Sequence, residues 1–391
     1  MTRALTAAVL ARLIGVAAAA LPSLAAAQAT APAPSCATRA EGVPAQRLAL
    51  LARGFNLTGW LDADTPKRPD AAALGALRRR GFTHVRLPVR LEFLEARLSS
   101  VPRSEEGWQE LDLALNDLLG RGFAVSLDMH PGEAFAKVVA SDRERAAAIL
   151  EDVWRKAARR YARLSPERVF FELLNEPGDK IAWLPLAARL ISAVRAEAPD
   201  KTLVVGPPGT QRIEALEAMT PFADRNAVYA IHVYDPMAFT HQGLDWEGPD
   251  EPLAAFRGVP FPASLDHPAV QSLRATLLRD GRTKAARALE EQLRKPWDEA
   301  RVGSILVRAG AWAAKHRAAV IVNEFGALSW VAPPRDRARW IATVRDAAER
   351  NCIGWAHWDY ADGFGLARRV GDRQILDEAI VDALVGPPRK P

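Results

Sequence analysis

Eight short apolar runs, each followed by an amphipathic stretch, limit how this chain can fold more than any other feature. The runs contain many β-branched residues and few charges, which is typical of strands buried in a parallel sheet. The sequence therefore predicts strands at residues 54–57, 83–87, 124–128, 169–173, 202–205, 228–232, 320–323 and 353–358.

Helical patterns separate the predicted strands. Leu111, Leu115 and Leu118 fall on one helical face, and Trp340 and Val344 do so later in the chain. Eight such units predict a single (β/α)8 TIM barrel, in which function lies at the carboxyl ends of the strands. The alternative is a doubly wound open sheet. The sequence argues against it, because no G-x-G-x-x-G follows the first strand and no P-loop is present.

The predicted catalytic domain covers residues 45–391 and contains one long insertion, at about residues 235–300. This insertion follows the sixth predicted strand and is too long for a plain loop between a strand and a helix. It is rich in proline and has a helical pattern near residues 285–293. We interpret it as a lid or wall over the site; the alternative is a solvated excursion without a role.

The first 27 residues have the pattern of a secretory signal peptide. Arg3 precedes an apolar stretch over residues 13–24, which ends in the small residues of 25–27. The alternative is a membrane anchor, for which the apolar stretch is short. We expect export to the periplasm or the exterior, no stable membrane span after processing, and a loose Ala/Pro-rich lead-in over residues 28–44.

Cys36 and Cys352 are the two cysteines of the chain. Export makes a disulfide between them chemically possible, and it would tie the lead-in to a segment near the carboxyl terminus. The alternative is two unpaired thiols.

The composition excludes several classes of protein. Hydrophobic residues make up 49% of the chain and charged residues 25%, which excludes a disordered protein. The mean hydropathy of −0.10 and the scarcity of long uncharged runs exclude a multi-span membrane protein. The formal charge is +5, but basic and acidic residues are interleaved, so no nucleic-acid partner is indicated. We expect a monomer.

Two glutamates carry the strongest chemical signal. Within residues 171–177 an apolar strand ends in Asn175-Glu176 and is stopped by Pro177, and within residues 320–326 a buried strand again ends in a glutamate, Glu324. In the eightfold count these runs are strands four and seven, so both carboxylates would project from the same rim. Paired carboxylates across a sugar are what glycosidic cleavage requires. We expect a raised pKa on the proton donor and a depressed pKa on its partner.

The chain resembles glycoside hydrolase family 5, the cellulase-type retaining β-glycosidases, and the most specific match is Asn175-Glu176-Pro177. The resemblance implies that Glu176 is the general acid/base and Glu324 the nucleophile of a double displacement that needs no cofactor. It also implies a polysaccharide or oligosaccharide substrate.

Six further positions match the family pattern one by one, and the resemblance implies a role for each. Arg86 would support the nucleophile, His130 would face the substrate, and Asn175 would hold the sugar 2-hydroxyl. His232 would lie near the acid/base, Tyr234 would contact the nucleophile, and Trp358 would form the platform under the reacting sugar. Trp60 and Trp246 are further candidate platforms, for which packing in the core is the alternative.

No metal site is predicted, because no H-E-x-x-H or paired-cysteine spacing appears among the scattered histidines. The main functional hypothesis is a secreted endo-β-1,4-glucanase. An exo-β-1,3-glucosidase or a β-mannanase on the same scaffold is the first alternative, and a non-catalytic glycan-binding barrel is the second.

Overall fold

The eight predicted strands close into a parallel barrel in which each strand pairs with the next and the eighth returns to the first. The computed structural model describes residues 40–99, 104–244, 246, 248, 250–371 and 373–387. The barrel strands are β1 Arg53–Asn56, β2 His84–Arg90, β3 Ala124–His130, β4 Val169–Glu172, β5 Leu203–Val205, β6 Ala227–Val233, β7 Ala319–Phe325 and β8 Gly354–His357. The predicted (β/α)8 barrel is thereby confirmed.

The strand ends differ slightly from the prediction. β2 and β3 each run on to a charged or polar rim residue, Arg90 and His130, whereas β8 ends one residue before Trp358. The short two-stranded sheet of β9 Ala367–Val370 and β10 Arg373–Leu376 follows the barrel and is antiparallel.

The helices surround the barrel and bury one face each. Leu111, Leu115 and Leu118 are buried as their spacing predicts, and so are Trp340 and Val344. The helices are α1 Ala45–Leu50, α2 Ala71–Arg79, α3 Leu91–Leu94, α4 Ser104–Gly120, α5 Glu133–Ser141, α6 Arg143–Tyr161, α7 Trp183–Glu197, α8 Ile213–Glu217, α9 Met237–Thr240, α10 Pro268–Arg279, α11 Thr283–Leu293, α12 Glu299–His316, α13 Pro334–Arg350 and α14 Glu378–Val385.

Aspartate caps explain where three of these helices begin. Asp70, Asp142 and Asp298 precede α2, α6 and α12, and each accepts a hydrogen bond from a backbone N–H of the first turn. Such caps satisfy N–H groups that have no partner within the helix.

The amino end of the barrel is closed by apolar packing. Val43 and Leu51, which flank α1, pack with Phe170, Val204 and Val228 in a buried cluster. The polar site residues of a (β/α)8 barrel are expected at the opposite, carboxyl end of the strands.

The predicted insertion after β6 is folded. It carries α9, a 3-10 turn over Pro252–Ala255, and the helices α10 and α11, and α12 then leads back to β7. Phe256, Val259 and Leu289 are fully buried. The insertion is therefore a packed extension of the barrel.

Several predictions fall on residues that the structure does not describe. The signal peptide of residues 1–27 lies outside the described residues, and the lead-in of residues 28–44 is described only from Ala40. Cys36 also lies outside them, so its pairing with Cys352 stays a prediction. Among the described residues, none of the helices combines the length and apolarity needed to cross a bilayer.

Candidate active site

A cavity of about 340 Å³ opens at the carboxyl end of the strands. Its walls include seven of the eight predicted site residues: His130, Asn175, Glu176, His232, Tyr234, Glu324 and Trp358. The eighth, Arg86, is fully buried beside Glu324. The fold thus brings together side chains that are up to 272 positions apart, from Arg86 to Trp358.

Three groups hold the carboxylate of Glu324, the penultimate residue of β7. Nη1 of Arg86 donates to its Oε1 at 2.6 Å, and the hydroxyl of Tyr234 donates to its Oε2 at 3.1 Å. Nδ1 of His232 lies 3.4 Å from the same Oε2. Burial and the negative charge of Glu324 hold the pKa of Tyr234 well above its usual range, so the phenol stays a donor.

Arg86 belongs to a buried network that the sequence interpretation missed. Its Nε and Nη2 donate to the two carboxylate oxygens of Glu172 at 2.8 Å each, and Nη2 lies 3.1 Å from Asp128. Burial acts to lower the pKa of Arg86, but Asp128, Glu172 and Glu324 raise it well above the usual value. The guanidinium is therefore a permanent cation beneath Glu324.

Two asparagines and the charge balance complete this network. Asn56 accepts from Nη1 of Arg86 at 2.8 Å, and Asn323 donates to Glu172 at 2.8 Å. Burial raises the pKa of Glu172, and Arg86 offsets this only in part. A charged residue inside an otherwise apolar strand has to be paired, and that rule applied to Glu172 and Asp128 would have found both.

Glu176 and His232 form a second close pair. Oε1 of Glu176 lies 2.8 Å from Nδ1 of His232. Burial acts to raise the pKa of Glu176, but the hydrogen bond and charge of His232 outweigh it and the net shift is downward. Burial acts to lower the pKa of His232, but Glu324 and Glu176 raise it above its usual value.

The expectation that the proton donor has a raised pKa is therefore wrong for Glu176 in this structure. A neighbouring imidazole, which the sequence could not place at 2.8 Å, stabilises the carboxylate more than burial destabilises it. The proton that the pair shares is favoured on His232, one hydrogen bond away from the carboxyl that would donate it.

Oxygens of Glu176 and Glu324 and a ring nitrogen of His232 all lie within 4.8 Å of one another. Among the described residues these three also form the one group of potential metal ligands. Their atoms already bond to one another, to Arg86 and to Tyr234, so carboxylate–imidazole contacts account for their closeness. Two carboxylates at this spacing can act on opposite sides of one sugar carbon.

His130, Asn175 and Trp358 line the side of the cavity towards β3 and β8. Nδ1 of His130 lies 2.8 Å from Asp128, and the ring stacks on Trp358 at 5.9 Å with 18° between the planes. Oδ1 of Asn175 accepts from Arg86 at 2.9 Å, while its Nδ2 lies 3.4 Å from Nε2 of His130. The three side chains are thus fixed before any ligand arrives.

The insertion contributes the wall beyond Tyr234. Trp246 lines the cavity and is 55% exposed. It makes an edge contact with Trp330 and a tilted contact with Phe364, each at 6.3 Å between ring centroids. Trp60, the other candidate platform, is 3% exposed and donates its indole N–H to Glu110. It does not line the cavity, and packing is the better description of its role.

Comparisons with known proteins agree with this geometry. Residues 49–363 match the sequence profile described as Cellulase (glycosyl hydrolase family 5). Endoglucanase 3 of Fibrobacter succinogenes is 26% identical over an alignment of 349 residues, and the match covers 84% of this chain and 52% of the relative. The chain therefore spans about half the length of that protein. Endoglucanase C of Acetivibrio thermocellus is 25% identical over 78% of this chain and 90% of its own length.

Solved structures show the same fold. The endoglucanase Cel5A of Thermotoga maritima superposes with a TM-score of 0.69 at 24% identity, covering 87% of this chain and 98% of its own. The same protein in complex with mannotriose gives a TM-score of 0.67 at 22% identity, covering 87% and 99%.

Proposed function

Because the chain belongs to glycosyl hydrolase family 5, we propose that it is an exported endo-β-1,4-glucanase that acts on β-glucan with retention of configuration. The observation that carries this proposal is the spacing within 4.8 Å of Glu176 and Glu324 at one end of the barrel. Retaining pairs lie about 5–5.5 Å apart, whereas an inverting pair needs roughly 6.5–9.5 Å to admit a water molecule.

In the first step an oxygen of Glu324 attacks the anomeric carbon. The bond from that carbon to the leaving oxygen breaks, and the oxygen takes its electron pair and a proton from Glu176. Glu324 is suited to attack because Arg86 and Tyr234 orient its carboxylate. His232 keeps the proton within 2.8 Å of the Glu176 carboxyl until the leaving oxygen needs it.

In the second step Glu176, now ionised, accepts a proton from water, and the water oxygen attacks the same carbon. The bond to Glu324 breaks and its carboxylate returns to Arg86. Because each step inverts the carbon, the product has the configuration of the substrate. Asn175 would bind the 2-hydroxyl of the sugar, and Trp358 and His130 would support its apolar face.

The β-1,4-glucan assignment is supported by the names of the relatives, which are endoglucanases. A β-mannanase is the second candidate, because the T. maritima enzyme of the same fold is recorded with mannotriose. Product analysis on carboxymethylcellulose, barley β-glucan, laminarin and mannan separates these from an exo-β-1,3-glucosidase. Short products at early times support endo action, while glucose alone supports exo action.

Export and a monomeric state are part of the proposal. Export is supported by the basic, apolar and small-residue regions within residues 1–27. Amino-terminal sequencing of the mature protein from the periplasm or medium tests it, with a start near residue 28 expected. An intact Met1 in the cytoplasm would contradict export. Light scattering would measure the mass in solution and so test the monomeric state.

The chemistry is tested by the anomer of the first product and by two amide variants. Retained configuration in NMR spectra is expected, and inversion would refute the mechanism. Glu324→Gln and Glu176→Gln should each lose nearly all turnover on barley β-glucan. Glu197→Gln, at an exposed ion pair of α7, is the matched control. Binding without turnover by the wild type would instead support a non-catalytic barrel.

A further inference from the structure

Gln211 contacts both members of the Glu176–His232 pair without lining the cavity. Its side-chain Oε1 accepts the backbone N–H of Glu176 at 2.9 Å, and its backbone carbonyl accepts the N–H of His232 at 3.0 Å. The glutamine is fully buried and lies in the connection between β5 and α8. One residue therefore joins the strand ends that carry the proton donor and its imidazole.

The backbone at this point is in an unfavourable conformation. Glu176 has a φ of 37° and Gln211 a φ of 54°, both in the left-handed region that side chains other than glycine seldom adopt. Such residues cost roughly 1–3 kcal/mol each and persist only where the surroundings hold them. The hydrogen bond from the Glu176 N–H to Gln211 is an interaction that holds this conformation.

Close packing fixes the amide of Gln211. A Cβ placed on Gly206 would approach Nε2 of Gln211 to 1.9 Å, so the glutamine fits only because residue 206 is glycine. The amide cannot reverse without turning its N–H donors towards the N–H of Glu176. The acceptor oxygen is thus held in one place by the end of β5.

We propose that Gln211 is a positioning residue that aims the Glu176 carboxyl at the leaving oxygen and at His232. This rests on the proposed function, because it assigns Gln211 to the proton-transfer part of that reaction. Proton transfer requires a donor within hydrogen-bond reach of the atom that receives the proton. Attack by Glu324 does not depend on Gln211, since Arg86 and Tyr234 hold that carboxylate.

The proposal predicts an effect that depends on the leaving group. Gln211→Met keeps the length of the side chain and removes the acceptor. On cellotriose, whose leaving alcohol needs a proton, kcat/KM should fall by about 10- to 100-fold, a part of what general acid catalysis contributes. On 2,4-dinitrophenyl β-cellobioside, whose leaving group needs none, kcat/KM should stay near that of the wild type.

The second step gives an independent readout. Because water must be deprotonated by Glu176, kcat of Gln211→Met on the dinitrophenyl substrate should fall, and azide should restore it as a nucleophile that needs no base. A purely structural role would lower both kcat/KM values together, and azide would restore nothing.

Gln242 offers a matched control. It is also a fully buried glutamine, it bonds Phe239 and Val259 of the insertion, and it does not line the cavity. Gln242→Met should lose stability with no dependence on the leaving group. Gln211→Glu keeps an acceptor oxygen and should retain the wild-type ratio of the two kcat/KM values, which preserves the test if Gln211→Met fails to fold.

Equal losses on both substrates in Gln211→Met, or an altered ratio in folded Gln211→Glu, would overturn the proposal. A wild-type enzyme that hydrolyses neither cellobioside nor cellotriose would instead contradict the proposed glucanase function.

Discussion

Nδ1 of His232 lies 2.8 Å from Oε1 of Glu176, and this contact decides where the proton of the pair resides. Burial alone would raise the pKa of Glu176, yet the net shift is downward because of the imidazole. The proton donor of the proposed reaction is therefore a carboxyl–imidazole pair, and its pH dependence is set by both members.

Replacing His232 should move the pH profile to lower pH. In the wild type the last proton of the pair is favoured on His232, whose pKa is raised, so the basic limb of kcat/KM against pH reports loss of that proton. In His232→Asn the basic limb reports Glu176 alone, a carboxyl that loses its proton at lower pH than the pair does, and the limb should move downward. His267→Asn, an exposed helix cap, is the control and should leave the profile unchanged. An upward shift would contradict this account.

Replacing Arg86 should impair both stability and every catalytic step. Lysine cannot supply the paired contacts to Glu172 together with the contact to Glu324, so Arg86→Lys leaves buried carboxylates without partners. Breaking such a buried network costs about 3–5 kcal/mol in the free energy of unfolding. Denaturant unfolding measures this loss, and kcat/KM should fall on substrates with good and poor leaving groups alike.

The control for Arg86 is a surface pair with similar geometry. Arg121 bonds both oxygens of Asp117 at 2.8 Å on the outside of α4. Arg121→Lys should change neither unfolding nor kinetics appreciably, because solvent screens exposed pairs. A comparable loss of stability in both variants would contradict the importance assigned to burial.

Trp246 should contribute to binding of long substrates. It lines the cavity, and its ring contacts with Trp330 and Phe364 fix its position. We expect Trp246→Ala to raise KM for cellohexaose roughly tenfold, equivalent to about 1.4 kcal/mol of lost binding, with kcat little changed. Trp330→Ala, at a similarly exposed tryptophan outside the cavity lining, should have a smaller effect. Equal effects would contradict a platform at Trp246.

Acid should destabilise the barrel partly through His84. Burial lowers the pKa of His84 to about 3, and its Nε2 lies 2.8 Å from the Ser126 hydroxyl. Between pH 6.5 and 3 the unfolded chain therefore binds a proton at His84 that the native state does not bind. The free energy of unfolding is unaffected by His84 above pH 6.5 and falls by roughly 1.4 kcal/mol per pH unit as the pH drops from there towards 3.

Urea unfolding between pH 7.5 and pH 4 measures this dependence. His84→Gln should be less stable at pH 7.5 but should lose stability less steeply on acidification. His267→Asn should keep the wild-type slope. An unchanged slope in His84→Gln would exclude His84 as a contributor.

The order of strands and the rim positions of the two glutamates could be predicted from the sequence, because periodicity is a local property. Each apolar run indicates a buried strand, and the polar residue that ends the run indicates the rim of the barrel. The family pattern around Asn175-Glu176-Pro177 added candidate roles for individual side chains. Gln211 was missed, since nothing local distinguishes a buried glutamine in a loop from a surface one. Glu172 was also missed, although its place inside an apolar strand indicates a buried and paired charge.

By itself the sequence determined an eightfold barrel and two glutamates at its carboxyl end. Only the tertiary structure decided that His232 lowers the pKa of Glu176, that Arg86 bonds Glu172 as well as Glu324, and that Trp246 and not Trp60 faces the cavity. The physical reason is that hydrogen bonds and charge interactions act over a few ångströms between residues far apart in the chain. Those distances exist only once the barrel has closed.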